Sequence, residues 1–327
     1  MKNIMIAIRY LAKKIFTLFV LAPLGVLYCL IRFRGENTCY VVPCPHIGDV
    51  LFTFGYLNAY RRKNQIEKVT VVCKDSFKEL AGMYPEDIDE IIIISDIALK
   101  LIMAIDASYF YTLVLRKFIQ MIIIVPANHF REGFDTIRKF PNTTLIGCIK
   151  YGVLALREQD SFTCPTVENA NKDEMLKRLG ILPGKTIILS PYTHECGDEL
   201  IEGVLEAIAL RYKNKGYRVL TNVSAKWHKP VKHTEALECT LREALLIGNH
   251  CNCVVGIRSG FLDLLLLSGT MVLALYSSDY FDLSFFDLSA MPIKEKGQQY
   301  KMTGDYNGDM ETIYEIIDGN MNQGEMS

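Results

Sequence analysis

The sequence predicts an α/β protein with two domains, each built on a parallel β-sheet that helices cover on both faces. The first observation is that short runs such as Thr38–Val42 are apolar throughout rather than alternating, as strands buried on both faces are. The second is that the pattern of strands and helices gives way to a polar stretch at about 160–184 and starts again at Thr186–Leu189. A chain of 327 residues is long enough for two ordinary domains, so we expect two Rossmann-like domains that face a cleft.

The first half is expected to alternate strands with helices. The predicted strands are Thr38–Val42, Val69–Cys73, Ile91–Ile94 and Met121–Val125. The predicted helices are Asp49–Lys63, Ser76–Met83, Ile97–Ile105 and Tyr109–Ile119. The basic end of the first of these helices, Arg61–Lys63, suits the negative end of the helix dipole.

The second half repeats the pattern. The predicted strands are Thr186–Leu189, Arg218–Thr221, Cys253–Val255 and Met271–Leu275. The predicted helices are Asn171–Leu179, Leu200–Tyr212, Leu241–Ile247, Leu262–Leu267 and Met310–Ile317, of which the last is expected to pack back on the first domain. The predicted divisions are a membrane-associated helical segment at 1–35, domains at 36–168 and 169–306, and a helix with a tail at 307–327.

Composition and charge exclude several classes of protein. Half of the residues are hydrophobic and 22% are charged, which excludes a disordered chain. The net charge is −1, whereas nucleic-acid binders are usually clearly basic, so no nucleic-acid partner is expected. The ten cysteines are scattered without a CxxC pair, and the spacing of Cys251 and Cys253 suits neither a zinc site nor a redox motif. We therefore expect free thiols in a reducing compartment and no bound metal.

The N-terminal stretch differs in composition from the rest. Ile15–Ile31 carries no charge and lies between Lys13-Lys14 and the basic residues Arg32 and Arg34. This pattern predicts association with an anionic membrane surface through residues 13–34, because a 17-residue helix of about 25 Å falls just short of a hydrocarbon core of about 30 Å. Spanning and monotopic arrangements both stay open, and the alternatives are a buried helix hairpin or a signal peptide that lacks a small-residue cleavage site.

Pro43–Leu51 follows the first strand and carries the first candidate site. Gly48 is expected to allow a tight turn, and Asp49 is expected at or near the N-cap of the next helix. Ligands of open parallel sheets bind at the carboxyl ends of the strands, so a carboxylate here is placed to act as a general base, with His46 beside it. The alternative is that Asp49 only caps the helix and His46 is an ordinary loop residue.

Polar residues also follow two strands of the second half. Thr193 and His194 come after the first strand, and Asn222 comes after the next. Hydroxyl, imidazole and amide groups in these places are suited to a phosphate, a sugar or a nucleotide. The alternative is that they are common turn and surface residues.

The pattern of Val254–Leu264 predicts a strand, a glycine-containing turn and the N-terminus of a buried helix. Ser259 and Gly260 would bring backbone N–H groups close to an anion such as a diphosphate, and Arg258 would add a bidentate contact. Asp263 lies one helical turn after Ser259 and is suited to accept a hydrogen bond from a sugar hydroxyl. The alternatives are a structural Arg258–Asp263 ion pair and a plain N-cap role for Ser259.

These segments and their order resemble bacterial glycosyltransferases of the GT-B fold, in particular the heptosyltransferase-like group, glycosyltransferase family 9. The segments that carry the resemblance, which extends over about residues 38–320, are Ile47-Gly48-Asp49, Ser190–Glu195, Ser259-Gly260-Phe261 and Leu273–Asp279. The resemblance implies that Asp49 is the catalytic base and that the second domain binds a nucleotide diphosphate. It also implies that no metal or other cofactor is needed.

The chain departs from that group at residues expected to bind the donor. The group usually has a histidine where this chain has Asp263, and often an aspartate where it has Arg258. The lysine common in its first loop of the second domain is absent from Ser190–Glu195, and Arg258 is a candidate to replace that charge. Heptose as the sugar is therefore in doubt.

The resulting hypothesis is a divergent inverting glycosyltransferase of cell-envelope polysaccharide biosynthesis at the cytoplasmic face of the membrane. It would move a sugar from a nucleotide sugar to a lipid-linked or cell-surface polysaccharide acceptor. The alternatives are a non-catalytic assembly scaffold with the same fold and a sugar-nucleotide epimerase. The base is left open between Asp49, His46 and Asp263.

Overall fold

The structure is a computed structural model that describes residues 2–35, 37–106, 108–124, 144–168, 171–192, 199–225, 228–277, 288, 291–293 and 295–324. The chain divides into two compact units, Met1–Cys164 and Pro165–Ser327. This division lies close to the 168/169 boundary expected from the sequence. The N-terminal segment belongs to the first unit and the C-terminal helix to the second.

The N-terminal segment is helical over nearly its whole length. It consists of α1 (Lys2–Phe16), a π-helical turn (Thr17–Leu21) and α2 (Ala22–Arg32). Pro23 lies in the first turn of α2, directly after the π-helical turn, and a proline in the first turn of a helix removes no hydrogen bond within that helix.

The first unit contains a four-stranded parallel sheet in the order β3-β2-β1-β4. Its strands are β1 (Thr38–Val42), β2 (Lys68–Cys73), β3 (Glu90–Ile93) and β4 (Met121–Ile123). Each predicted strand of this half is present: β1 has the predicted bounds, the ends of β2 and β3 differ by one residue at most, and Val125, the predicted end of β4, lies outside the described residues. β1 is buried along its whole length, which explains its apolar sequence.

The helices of the first unit mostly agree with the sequence pattern. They are α3 (Ile47–Gly55), α4 (Leu57–Asn64), a 3-10 turn (Asp75–Phe77) with α5 (Lys78–Ala81), α6 (Asp96–Ile105), α7 (Tyr109–Arg116), and α8 (Leu145–Gly147) with a π-helical turn (Cys148–Val153). The prediction of one helix over Asp49–Lys63 is wrong, because the chain starts the helix at Ile47 and breaks it at Tyr56. Thr163 donates a backbone hydrogen bond to the Gly55 carbonyl, and the Phe162 ring packs edge-on against Tyr56, so a more distant segment occupies the break.

The second unit contains a six-stranded parallel sheet in the order β10-β9-β8-β5-β6-β7. Its strands are β5 (Thr186–Ser190), β6 (Arg218–Asn222), β7 (Glu235–Leu237), β8 (Cys253–Ile257), β9 (Val272–Tyr276) and β10 (Gly297–Lys301). The sequence predicted the four central strands and missed β7 and β10. Both missed strands are at the edges of the sheet and carry exposed polar residues, so they lack the apolar run that marks a buried strand.

The helices of the second unit are α9 (Lys172–Leu179), α10 (Glu199–Asn214), α11 (Leu241–Gly248), α12 (Gly260–Leu267) and α13 (Tyr306–Gly324). α13 contributes Ile313 and Ile317 to the core of its own unit. Its Asp318 accepts hydrogen bonds from the Tyr212 hydroxyl and the Arg211 guanidinium of α10, both at 2.8 Å. The sequence expectation placed this helix on the first domain, whereas these contacts anchor it on the second.

Candidate functional site

The second sheet reverses its strand order at β5, since β6 and β7 lie on one side of it and β8 to β10 on the other. This is the order of dinucleotide-binding sheets, in which ligands bind beyond the carboxyl ends of the two strands at the reversal. Ser190 ends β5 and lies in register with Gly256 of β8. A Cβ at Gly256 would lie 2.1 Å from the Ser190 carbonyl oxygen, so a glycine is required where the two strands meet.

Two serine hydroxyls at this edge are buried and have no hydrogen-bond partner among the described residues. They are the Oγ atoms of Ser190 and Ser259. Ser259 occupies the N-cap position of α12, but its side chain makes no capping bond, so the alternative of a plain N-cap is not observed. α12 begins at Gly260, and the first N–H groups of a helix have no partner within it. The edge therefore combines two unpartnered hydroxyls with a helix N-terminus, which together are suited to an anion.

Arg258 and Asp263 form a buried ion pair beside these hydroxyls. The side chains are 7% and 5% exposed, and both Nε and Nη2 of Arg258 lie 3.1 Å from Asp263 Oδ1. Arg258 also donates a hydrogen bond to Tyr276, at the end of β9. Burial raises the pKa of Asp263, and the Arg258 guanidinium opposes that rise. The structure thus contains the ion pair considered as the alternative, and Asp263 already compensates the charge of Arg258.

Of the other candidate site residues in the second half, the structure describes two and leaves two undescribed. Asn222 is buried at the carboxyl end of β6, next to β5 in the sheet, and therefore belongs to the same edge. Gly260 is the first residue of α12. Thr193 and His194 lie outside the described residues.

Sequence reasoning missed an aromatic pair between the loops after β5 and β6. The rings of Tyr192 and His228 are stacked, with centroids 4.0 Å apart and planes at 10°. The Tyr192 hydroxyl donates a 2.6 Å hydrogen bond to the Lys229 carbonyl, which ties the two loops together. Both rings belong to polar loops far apart in the chain, so only the strand order brings them together.

The first sheet reverses its order between β1 and β4, and the Pro43–Leu51 segment leaves the carboxyl end of β1 at that point. The helix begins earlier than predicted, because His46 occupies the N-cap position of α3 and Asp49 lies in its first turn. Gly48 is accordingly helical rather than part of a tight turn. Asp49 is buried and His46 is exposed. Asp49 therefore lies near the N-cap without occupying it, and its position at the strand-order reversal agrees with a functional role.

Asp49 belongs to a cluster that the sequence analysis did not anticipate. One side-chain donor atom each of Cys44, His46 and Asp49 lies within 4.8 Å of the other two. The Cys44 thiol donates a hydrogen bond to the Asp49 carboxylate, and burial together with that carboxylate raises the pKa of the thiol. The signal for this cluster was the spacing Cys-Pro-His-Ile-Gly-Asp, which brings two loop residues back over the first turn of α3.

Solved glycosyltransferases have a similar structure. ADP-heptose LPS heptosyltransferase II of E. coli is 13% identical, with a TM-score of 0.63 over 88% of this chain and 99% of that chain. A family 9 glycosyltransferase of Veillonella parvula is 13% identical, with a TM-score of 0.58 over 88% and 97%. An E. coli heptosyltransferase with ADP-2-deoxy-2-fluoro heptose is 12% identical, with a TM-score of 0.53 over 85% and 99%. The chain has the fold of these glycosyltransferases.

The expected resemblance to the heptosyltransferase-like group is therefore confirmed at the level of the fold. No protein-family model matches the sequence, and neither does any curated protein. At such low identity the fold alone is shared, so the roles of individual residues must be argued from the geometry above.

Proposed function

We propose that this protein is an inverting glycosyltransferase that moves a sugar from a nucleotide-sugar donor to a lipid-linked or cell-surface polysaccharide acceptor. The observation that carries the proposal is the pair of unpartnered buried hydroxyls, Ser190 and Ser259, at the strand-order reversal of the second sheet. A buried hydroxyl without a partner is costly, and a bound diphosphate would supply the missing acceptors. The shared fold with nucleotide-sugar transferases supports the same assignment.

In the proposed donor site the diphosphate lies at the N-terminus of α12. The N–H groups there and the two serine hydroxyls donate to its oxygens and stabilise the charge that grows on the leaving group. Arg258 contributes less than the sequence suggested, since its charge is compensated by Asp263. No bound metal is required for this arrangement, because hydrogen-bond donors supply the stabilisation.

In the proposed reaction Asp49 is the general base. Its carboxylate takes the proton of an acceptor hydroxyl, the hydroxyl oxygen attacks the anomeric carbon, and the bond from that carbon to the diphosphate oxygen breaks with inversion. Asp263 is a poorer candidate for the base because its carboxylate accepts a hydrogen bond from Arg258 at the edge of the second sheet. His46 stays an alternative partner of the acceptor, as it is exposed beside Asp49.

We further propose that the N-terminal segment binds the cytoplasmic face of the membrane through residues 13–34 without spanning it. Ile8–Arg32 is helical and long and apolar enough to cross a bilayer. One face of α2 nevertheless packs on the first unit, where Val26 and Cys29 lie in a core cluster with Ile102 of α6. A segment that packs on a domain and leaves apolar side chains exposed on its other face is better suited to lying in the interface.

The proposed membrane face extends beyond the N-terminal segment. Helices α6 and α7 pack near α2, are bent by 105° to each other, and leave large apolar side chains in solvent. The side chains concerned are those of Ile97, Phe110 and Leu113, together with Phe118 just after α7. Scattered exposed apolar residues are ordinary, but so many near one apolar helix support a lipid-binding surface.

The test is nucleotide binding and sugar transfer by the full-length protein in the presence of EDTA. We expect one nucleoside diphosphate to raise the melting temperature, and its sugar conjugate to be consumed with a membrane-extract acceptor. Asp49→Asn should abolish transfer and keep the nucleotide-induced shift, because the base and the donor site lie in different sheets. Full activity of that variant would refute Asp49 as the base, and absence of any nucleotide shift would favour a non-catalytic scaffold.

A further inference from the structure

The cluster of Cys44, His46 and Asp49 brings together three chemically different side chains. A thiol, an imidazole and a carboxylate have their donor atoms within 4.8 Å of one another at the start of α3. No other group of three or more potential metal ligands of this kind occurs among the described residues. We propose that these three side chains bind Zn²⁺ reversibly, with an open position left for water.

The ligand set fits zinc better than other common divalent ions. Zinc takes thiolate, imidazole and carboxylate ligands, and sites with three protein ligands keep a fourth position for water. Magnesium and calcium prefer sites made of oxygen ligands, so a thiol and an imidazole disfavour them. The selectivity expected here is therefore for zinc and for zinc-like ions such as cobalt.

Only small movements are needed to close the site. With metal–ligand bonds of about 2.0–2.3 Å, ligand atoms on one zinc ion lie about 3.3–3.8 Å apart. The Cys44 thiol already hydrogen-bonds to Asp49, and His46 is exposed and free to turn about its side-chain bonds. Pro43 and Pro45 on either side of Cys44 each fix one backbone dihedral angle, so the loop loses little entropy on binding.

The same surroundings limit the affinity, which makes the site reversible rather than structural. Binding releases the thiol proton to solvent, and the site offers three protein ligands rather than the four of a structural zinc site. The N-terminus of α3 also carries a partial positive charge that opposes a cation. The negative charges of the thiolate and the carboxylate offset the charge of the ion.

Zinc bound here would be coordinated by the Asp49 carboxylate, which then could not accept a proton. If Asp49 is the base of the reaction proposed above, zinc binding inhibits transfer and a chelator restores it. This consequence depends on the proposed function, whereas the site itself does not.

Binding is tested with Co²⁺ as a spectroscopic probe on the full-length reduced protein. We expect a thiolate-to-cobalt charge-transfer band that Zn²⁺ displaces. Cys44→Ser should remove the band, and His46→Gln should weaken Zn²⁺ binding by more than about tenfold, because a ligand is lost in each. The matched control is Cys239→Ser, which removes a thiol of the second unit close to Cys251 and should leave the band unchanged. A band that persists in Cys44→Ser, or that disappears in Cys239→Ser, overturns the proposal.

A second measurement separates the two proposals. The ratio of transfer rates with and without Zn²⁺ is compared between the wild type and Cys44→Ser. Loss of zinc inhibition in the variant supports the site. Cobalt binding through Cys44 in a protein that shows no transfer supports the metal site and contradicts the proposed function. Transfer without Cys44-dependent metal binding supports the function and overturns the site.

Discussion

At the scale of single residues, the hydroxyl groups of Ser190 and Ser259 are the most informative feature. Each is buried, and neither has a hydrogen-bond partner among the described residues. Such groups lose their hydrogen bonds to water without replacement, so they lower the stability of the unliganded protein. Buried hydroxyls without a partner are therefore most readily explained where a bound ligand supplies the missing hydrogen bond.

We expect Ser259→Ala to stabilise the unliganded protein by about 1 kcal/mol and to weaken nucleoside diphosphate binding by about 1.5–3 kcal/mol, the contribution of a hydrogen bond to a charged group. Thermal unfolding and calorimetric titration measure the two effects. The control is Ser268→Ala after α12, where the hydroxyl donates to the Leu265 carbonyl at 2.6 Å. It should destabilise the protein and leave nucleotide affinity unchanged. A stabilised Ser259→Ala variant with unaltered affinity would contradict the donor site.

The Arg258–Asp263 pair makes a second prediction. Arg258→Ala should destabilise the protein by about 3–5 kcal/mol, because it leaves the buried Asp263 carboxylate without its partner. A paired apolar replacement, Arg258→Met with Asp263→Leu, should recover most of that loss. Urea unfolding of the wild type, Arg258→Met, Asp263→Leu and the double variant gives the interaction energy. The exposed pair Lys74–Asp96 is the comparison, and Lys74→Ala should cost less than about 1 kcal/mol.

The sequence was enough to predict where the candidate site lies. It was not enough to predict which side chains contact one another there. The segments at Asp49, Asn222 and Ser259 were found because polar residues directly follow apolar strands, and strand ends of a parallel sheet meet at one edge. The Cys44 thiol and the Tyr192–His228 stack were missed. Their positions depend on how loops fold back, which short-range spacing does not encode.

At the scale of elements, α13 is held at its first turn by a buried carboxylate. Asp309 accepts hydrogen bonds from Tyr300 at the end of β10 (2.8 Å) and from the backbone and hydroxyl of Thr303 (3.0 and 2.7 Å). Burial acts to raise the pKa of Asp309, but the bonds from Thr303, Tyr300 and Gly304 outweigh it and lower that pKa below its usual value. The ionised carboxylate therefore joins the edge strand to the last helix.

This carboxylate predicts a pH dependence of stability. A group whose pKa is lower in the folded protein stabilises it fully above the unfolded value of about 3.9, and loses that effect as the pH falls through the folded value. Asp309→Asn should cost about 1.5–3 kcal/mol at neutral pH, and this difference should shrink as the pH is lowered below about 4. Melting temperatures between neutral and acidic pH test it, with the exposed Glu311→Gln on α13 as the control. A difference that does not depend on pH would contradict the role of the charge.

The elements themselves divide into those that the sequence predicts and those that it does not. Eight of the ten strands in the described residues were found because each contains a short apolar run, and the helices were found because of their apolar periodicity. The edge strand β10 was missed because half-exposed polar residues do not distinguish a strand from a loop. The break at Tyr56 was missed because the residue that packs there, Phe162, lies more than a hundred residues later in the chain.

At the scale of the whole molecule, the N-terminal segment presents two different faces. Leu27 and Ile31 on α2 are 53% and 64% exposed, whereas Val26 and Cys29 are buried in the core of the first unit. One short helix thus completes a domain and offers an apolar surface. Removal of residues 1–35 would therefore damage the first unit as well as any membrane contact, so point variants are the better test.

We expect Leu27→Ser with Ile31→Ser to reduce binding to vesicles that contain anionic lipid and to leave the melting temperature nearly unchanged. Phe118→Ser, after α7, should have a weaker effect in the same direction. The matched control is Val26→Ala, whose side chain faces the core, and which should lower stability without changing lipid binding. Sedimentation with vesicles measures the effect. Equal binding by Leu27→Ser/Ile31→Ser and the wild type would contradict the proposed membrane face.

The close packing of Gly25 against α6 has a consequence for biosynthesis. A Cβ at Gly25 would lie 2.2 Å from the Leu101 carbonyl oxygen, so the backbones of α2 and α6 touch. The ribosome releases α2 before α6 has been made, and at about 5–20 residues per second the delay is several seconds. During that interval the apolar face of α2 is uncovered, and if the segment binds membranes as proposed, the nascent chain has time to reach a lipid surface before its own domain has folded.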